Sequence, residues 1–451
     1  MRHSMKFYFG FGALILLPLW GAGSENKTVP PPNIVWITSE DNSPYVGVYG
    51  DKVVKTPNID KLAETGVVYD CAFANAPVCA PSRNTLITGR YANSNGNHQM
   101  RSNYKLPEFV RLFPEFLRDA GYYTTNCFKE DYNTSSKRSN LAWNESAESA
   151  TYKNRKPGQP FFHVQNIGTT HETSLFDSIP AEQLGYNPDE MKVYPYHPNT
   201  PTFRHFYAQY YYRMTNLDKQ IGQFVEELKK QGLFENTIIF YFSDHGGVLP
   251  RGKRFLFESG TRVPLVIHVP EMYKHLMPDK IGGHSDRMVS FVDFAPSVLA
   301  LAGIKKPEFI QGQPFLGQKV SKSKEYVFSF RGRMDEKTDF MHAACDKQYR
   351  YIRNYYPERI YGQYLDYLWR NRAVKEWEKM FYEGKLNNAQ AAFWKTKPYE
   401  ELYDIKKDPH NVNNLAGNPD YARVLARMSD ATNQWIEETL PMDVIPEPMM
   451  F

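Results

Sequence analysis

The chain has 451 residues, 41% of them hydrophobic and 15% aromatic, and a formal charge of +4. That length and apolar content exclude a disordered or fibrous protein and allow one large domain with a smaller companion. Loss of Arg2 and Lys6 with a cleaved leader brings the charge closer to zero, so no nucleic-acid or general polyanion binding is expected from net charge.

Met1 to Lys6 is basic, Phe7 to Trp20 apolar and Gly21 to Gly23 small, which is the order of a secretory signal peptide over residues 1–23. The apolar run falls short of the about 20 residues a membrane span needs. A periplasmic or secreted protein, with no membrane contact after signal cleavage, is therefore expected; a single membrane anchor is the competing reading.

Asn33 to Thr38 is a β-branched and aromatic run that predicts a buried strand, ending in Ser39-Glu40-Asp41. Thr56 to Gly66 predicts a capped helix with Pro57 in its first turn and Gly66 at its end. Pro107 to Gly121 predicts a helix with Phe109, Leu112, Phe113, Phe116 and Leu117 on one face, followed by a strand from Tyr122 to Phe128 that ends in Lys129. Pro160 to Ile167 is a further strand, leading to His171. A helix from about Phe206 to Gln231 precedes a strand from Thr237 to Phe242, which ends in Ser243-Asp244-His245. Val263 to Val269 and a helix from Asp293 to Ala302 continue the alternation, which predicts an α/β domain with a largely parallel sheet over residues 31–320.

From about Ser321 the pattern shifts to strand-like Glu325–Phe330 and Gln348–Arg353, an aromatic and basic region, and a helix from Ala422 to Glu438. This predicts a smaller α+β domain over residues 321–451.

Glu40, Asp41, Lys129, His171, Asp244 and His245 all fall just past the carboxyl end of a predicted strand, the edge where open α/β sheets bind ligands. Carboxylates with one histidine suit a hard divalent ion such as Ca²⁺ or Mg²⁺, with Mn²⁺ or Zn²⁺ open. Asp244 and His245 capping a turn is the competing reading. Lys253 lies in the glycine- and charge-rich stretch Arg251 to Arg262, a composition typical of solvated turns. Cys71, Cys79, Cys127 and Cys345 are too few and too scattered for a disulfide framework or a paired Cys-x-x-Cys zinc site.

Cys79-Ala80-Pro81-Ser82-Arg83, followed by Leu86, Thr88, Gly89 and Arg90, resembles the signature of the formylglycine-dependent sulfatases of the alkaline phosphatase-like superfamily. The resemblance runs from Asn33 to the Glu401–His410 segment and Leu415-Ala416. It implies the sulfatase fold, a large mixed, mostly parallel sheet flanked by helices with a smaller C-terminal α+β domain. It further implies that a maturation enzyme converts Cys79 to 3-oxoalanine (formylglycine), and that this residue with Glu40, Asp41, Asp244 and His245 holds one Ca²⁺. Arg83 would support the formylglycine, Lys129 and Lys253 would grip the sulfate, and His171 would lie at the leaving group as general acid. In the implied mechanism one hydroxyl of the hydrated formylglycine attacks sulfur and the other later expels sulfate.

Two departures from the family pattern stand out. Glu40 replaces the more usual Asp, and the Gly-Lys-x-His stretch reads Phe128-Lys129-Glu130-Asp131, so Asp131 stands in place of a histidine. Asp131 would either position Lys129 or touch the substrate. Asn95–His98, Arg331–Glu336 and Tyr351–Pro357 resemble the heparan N-sulfatase-like branch, which implies a sulfated glycosaminoglycan-type carbohydrate, N-sulfoglucosamine included. An O-sulfatase on another host or algal polysaccharide is the rival, and a non-catalytic glycan-binding protein with unmodified Cys79 is a third reading. A phosphatase or phosphonate hydrolase would more often carry Thr or Ser as nucleophile. His98, Asp131 and Arg333 are candidate sugar contacts, as are Tyr356, Tyr364 and Trp369, with packing between domains as the alternative for all of these but Asp131.

Overall fold

The computed structural model describes residues 29–102 and 104–443, with residues 1, 4–7 and 10 besides. From Pro31 onward the chain is one compact unit. The expected leader, residues 1–23, lies mostly outside the described residues.

The larger sheet has eight strands in the spatial order Glu145–Ser146, Tyr123–Cys127, Phe161–Ile167, Asn33–Ser39, Thr237–Ser243, Leu265–His268, Gly66–Tyr69 and Gly283–Ser285. All neighbours pair in parallel except Leu265–His268, which is antiparallel to both strands beside it. Successive side chains of a strand face opposite ways, and here both faces are covered. Ile34 and Trp36 enter one core with the helices Phe113–Asp119 and Phe294–Leu301, where Trp36 sits 5.2 Å from the Phe113 and Phe162 rings. Val35 and Ile37 enter the other core, under Leu217 and Ile221 of the 30-residue helix Pro201–Lys230. That two-sided burial is why these strands read as unbroken apolar runs.

The smaller sheet is antiparallel, in the order Val327–Arg331, Met341–Cys345, Tyr349–Asn354 and Glu400–Asp404. Helix Ala422–Thr439 covers one face, with Trp435 stacked on Phe328 at 5.3 Å. The sheet is stitched to the larger unit at Asn75: Phe330 N–H donates to the Asn75 carbonyl, and Asn75 Nδ2 donates to the Phe328 carbonyl at 2.7 Å.

Three expected helix features differ. The helix after Thr56 spans Pro57–Glu64, and Gly66 opens a strand instead of closing the helix. A Cβ at Gly66 would stand 2.4 Å from the Ile267 carbonyl oxygen, so glycine lets the two strands approach. The helix's first N–H groups, those of Asn58 and Ile59, are capped by Asp218 of the long helix and not by the Thr56 side chain. Residues 107–112 are not helical; the helix begins at Phe113, and Phe109 is exposed. The long helix starts at Pro201, five residues before the expected start, where Thr200 Oγ1 caps it by accepting from the Phe203 N–H.

Candidate active site

Sheet register assembles the site. Ser39 pairs with Ile167 on one side and with Ser243 on the other, so Glu40, Gly168 and Asp244 leave three neighbouring strands at one edge. Asp41 then turns the chain with φ of 56°, a left-handed conformation that Asp tolerates better than most residues. Its Oδ1 lies 2.9 Å from His245 Nε2, and its Oδ2 accepts from the Glu172 N–H at 2.8 Å and from Lys253 Nζ at 2.7 Å.

Cys79 is the first residue of the helix Cys79–Thr88, all of whose residues are buried. Pro81 stands in the first turn, where its missing N–H costs no helical bond. Ser82 Oγ donates to the Asp244 carbonyl at 2.5 Å and locks the helix against the strand end. Cys79 Sγ consequently lies 3.4 Å from His245 Nε2 and 4.0 Å from Asp41 Oδ1. Potential ligand atoms of Asp41, Cys79, Asp244 and His245 lie within 4.8 Å of one another, and those of Glu40, Asp41, Cys79 and His171 form a second such group.

Basic side chains close the cluster. Arg83 donates through Nε to Asp244 at 3.0 Å and through Nη1 to Asn166 at 2.7 Å, while its Nη2 is buried without an acceptor. Lys129 pairs with Glu40, and His171 Nε2 stands 3.9 Å from the same carboxylate. Lys253 bridges Asp41 and Glu172, and Arg254 makes a bidentate pair with Glu172 and reaches Asp335. Lys253 and Arg254 are 4% and 2% exposed, so the stretch is buried despite a composition typical of solvated turns. Glycines make this possible: a Cβ at Gly260 would fall 2.0 Å from the Phe255 carbonyl oxygen and one at Gly252 2.2 Å from that of Gly247.

The charges act on one another. Burial raises the Asp41 carboxyl, but Lys253 and His245 outweigh it and hold the group well below the usual range. Burial likewise opposes ionisation of Asp244, yet His245 and Arg83 bring it down to about 2. Burial disfavours a charged His245, and Asp244 and Asp41 reverse that, to about 10. The Cys79 thiol, raised by burial, is brought below its ordinary value by Lys253 and Lys129.

The remaining sequence candidates make contacts outside this cluster. Asp131, with φ of 49°, faces Arg101 at 3.9 Å, and its Oδ2 is buried without a hydrogen bond. His98 is buried, accepts from Gln99 Nε2 at 2.9 Å and lies 3.8 Å from Asp443. Arg333 donates to the carbonyls of Asp335 and Met100, beside Met334, which packs with Met100 and Cys79. Trp369 is buried and donates to Glu378, whereas Tyr364 is half exposed. Glu172, Arg254 and Asn166 were not singled out by sequence. Adjacency to His171 and Lys253 was the one available signal for the first two.

Residues 32–304 match the family model described as Sulfatase, and residues 251–365 match the one described as N-sulphoglucosamine sulphohydrolase, C-terminal. The chain belongs to the sulfatase family. An ulvan-active sulfatase of Formosa agariphila is 36% identical over 92% of this sulfatase and 76% of the relative. Human N-sulphoglucosamine sulphohydrolase is 25% identical over 91% and 90% of the two chains. A solved structure in complex with its substrate D-glucosamine-2-N,6-O-disulfate superposes with a TM-score of 0.66 at 18% identity, covering 93% of this chain and all of the other. The phosphonate monoester hydrolase of Agrobacterium radiobacter gives a TM-score of 0.68 at 16% identity, covering 92% and 97%. Those two likenesses establish the alkaline phosphatase-like fold.

Proposed function

We propose that this sulfatase hydrolyses sulfate from a sulfated carbohydrate with Cys79 carried as formylglycine and one divalent ion, Ca²⁺ by its oxygen-rich donors, beside it. The observation that carries the reading is the end of the Cys79 side chain, 3.4 Å from His245 Nε2 within the Asp41, Asp244 and His245 donor set. Three carboxylates and an imidazole converging in a buried edge fit a hard cation, with Glu40, Asp41, Asp244 and His245 as its holders. A bound divalent cation there would acidify a hydroxyl and neutralise charge on a sulfuryl oxygen. The hydrated aldehyde would supply a pair of hydroxyls at position 79.

The chain's own groups fit an anionic substrate. Arg83 Nη2 lacks an acceptor, and Lys129 and Lys253 flank Cys79 closely enough to depress its thiol pKa. Fixed charges of this kind stabilise a sulfuryl group most as its charge builds, and they need no reorganisation. The helix N-terminus at Cys79 adds N–H groups that favour an anion. His171 Nδ1 engages Thr173 Oγ1 at 3.0 Å, which orients Nε2 toward Glu40 and holds a proton where a leaving oxygen or nitrogen would need it. Asp131 and Arg101, with His98 and Arg333 behind them, form the sugar-facing wall in this reading.

The substrate is a sulfated glycan of glycosaminoglycan type, N-sulfoglucosamine included; the C-terminal family match over residues 251–365 supports this. The ulvan-active relative at 36% identity favours, as a second reading, ester sulfate on an algal polysaccharide. The basic, apolar and small order of residues 1–23 supports export to the periplasm or medium. Among the described residues no helix is long and apolar enough to cross a membrane. A formylglycine-installing enzyme is the required partner.

Two measurements test the proposal together: the mass of the Cys79 tryptic peptide from the native host, and sulfate release from defined sulfated mono- and disaccharides, N-sulfoglucosamine among them. Formylglycine and release from at least one sugar are expected. An unmodified thiol, with no release from any sugar, would overturn it in favour of a glycan-binding role.

A further inference from the structure

A shallow cleft runs between the turn at residues 168–175 and helix Pro201–Lys230. Its upper part is an open hollow of about 610 Å³ and its continuation one of about 430 Å³. Gly168 and Thr169 line both parts, so the two are continuous. Two lining residues touch the proposed active site: a Cβ at Gly168 would stand 3.5 Å from Glu40 Oε1, and Thr173 Oγ1 engages His171 Nδ1 at 3.0 Å. Thr169 Oγ1 donates to Gln220 Oε1 at 2.6 Å and links the turn to the helix.

Polar side chains and Arg213 line the upper part, while Ile167, Phe224 and the acidic Glu227 join the lining of the continuation. Asn216, Gln220 and Gln223 offer amides, Thr169 and Thr173 hydroxyls, and Lys219 an exposed ammonium with no ion pair among the described residues. Side-chain amides donate and accept at once and match the mixed hydroxyls of a sugar, and a lysine answers an occasional carboxylate or sulfate. The proposed function does not use any of these side chains except Thr173.

We propose that this cleft binds the sugar residues that flank the sulfated one, so that the preferred substrate is an oligo- or polysaccharide and not a free sulfated monosaccharide. The inference rests on the sulfated-glycan reading of the site. A monosaccharide would fill the His171 end alone, whereas a longer chain leaving on the His171 side gains hydrogen bonds along the helix.

The test compares the metal-loaded, formylglycine-bearing protein with its Lys219→Ala/Gln223→Ala variant, both changes lying on the exposed helix face. Sulfate release is measured from ulvan and heparin oligosaccharides and from the corresponding sulfated monosaccharides. For the parent, kcat/KM is expected to be higher on the oligosaccharides. In the variant the ratio of oligosaccharide to monosaccharide kcat/KM should fall about tenfold, mainly through KM, with thermal stability retained. A fall of less than about threefold, or a parent that does not prefer the longer chain, overturns the cleft while leaving the sulfatase reading intact. No release from either class of probe removes both.

Discussion

Lys253 Nζ lies 2.7 Å from Asp41 Oδ2 and 2.8 Å from Glu172 Oε1, so one buried ammonium joins a proposed metal-holding carboxylate to one outside the proposed donor set. Glu172 in turn neutralises Arg254, and burial, which would raise its carboxyl, is outweighed by Arg254 and Lys253, bringing it to about 2. Glu172→Ala leaves Arg254 with Asp335 as its remaining carboxylate partner. The expected loss is about 3–5 kcal/mol of stability, read by urea unfolding, and a loss below about 1 kcal/mol would show the ion pairs to be dispensable.

Cys79→Ala should abolish sulfate release and leave the fold intact. The side chain is small, and the helix remains tied to Asp244 through Ser82. Retained turnover in a sulfate-release assay would refute the assignment of the nucleophile.

Asp131 accounts for the departure from the family pattern in one of two ways, and Asp131→Asn separates them. Its buried Oδ2 has no hydrogen bond and its closest ion partner, Arg101, is exposed. The substitution should change stability by less than about 0.5 kcal/mol and reduce kcat/KM through KM. A pure kcat effect would point to Lys129, and unchanged kinetics on every sulfated sugar, with Asp131→His behaving alike, would place Asp131 outside the site.

Acid should unfold the protein through its buried neutral histidines. His197 Nε2 donates to the Pro250 carbonyl at 2.7 Å and Nδ1 accepts from Tyr207 Oη at 2.8 Å, an arrangement that only the neutral ring completes. Burial moves its pKa from 6.5 down to about 3. The unfolded chain binds the extra proton between those values, so stability is fully present above about pH 6.5 and is lost as pH falls toward about 3, by up to about 1.4 kcal/mol per pH unit. His163 and His268, each brought to about 4 by burial, act in the same direction. His197→Asn should flatten the slope of melting temperature against pH between 6.5 and 4, and an unchanged slope would assign the acid sensitivity elsewhere.

Chelation of divalent metal should stop sulfate release and leave a cooperative melt. Lys253, Lys129 and Arg83 already pair with Asp41, Glu40 and Asp244, so the carboxylates do not depend on a cation for neutralisation. Activity that survives exhaustive chelation would dismiss the metal.

Much of the site was legible in the sequence because its residues follow strands directly. Glu40, Asp41, Lys129, His171, Asp244 and His245 each stand just beyond a predicted strand, and parallel register brings those strand ends together without further information. Glu172 and Arg254 were not legible, since their pairing crosses 82 residues of chain. The burial of Lys253 was hidden for a related reason: its loop is folded inward by glycine contacts that composition alone reads as solvent exposure. In the fold, the strand Gly66–Tyr69 was missed because its glycine resembles a helix terminator, and Met341–Cys345 because His342, Ala343 and Ala344 lack the β-branched signature of a strand.

The contact between Asn75 and Phe328 spans 253 residues of sequence. Asn75 sits four positions before Cys79, and the thiol is 1% exposed once that contact and the surrounding core are in place. During synthesis the segment around Cys79 is complete long before the strand that seals it exists, and loop closure over such a separation is slow. If Cys79 is converted as proposed, a modifying enzyme would meet it open only in that interval, and the share of active molecules would be fixed at birth by the race between conversion and folding.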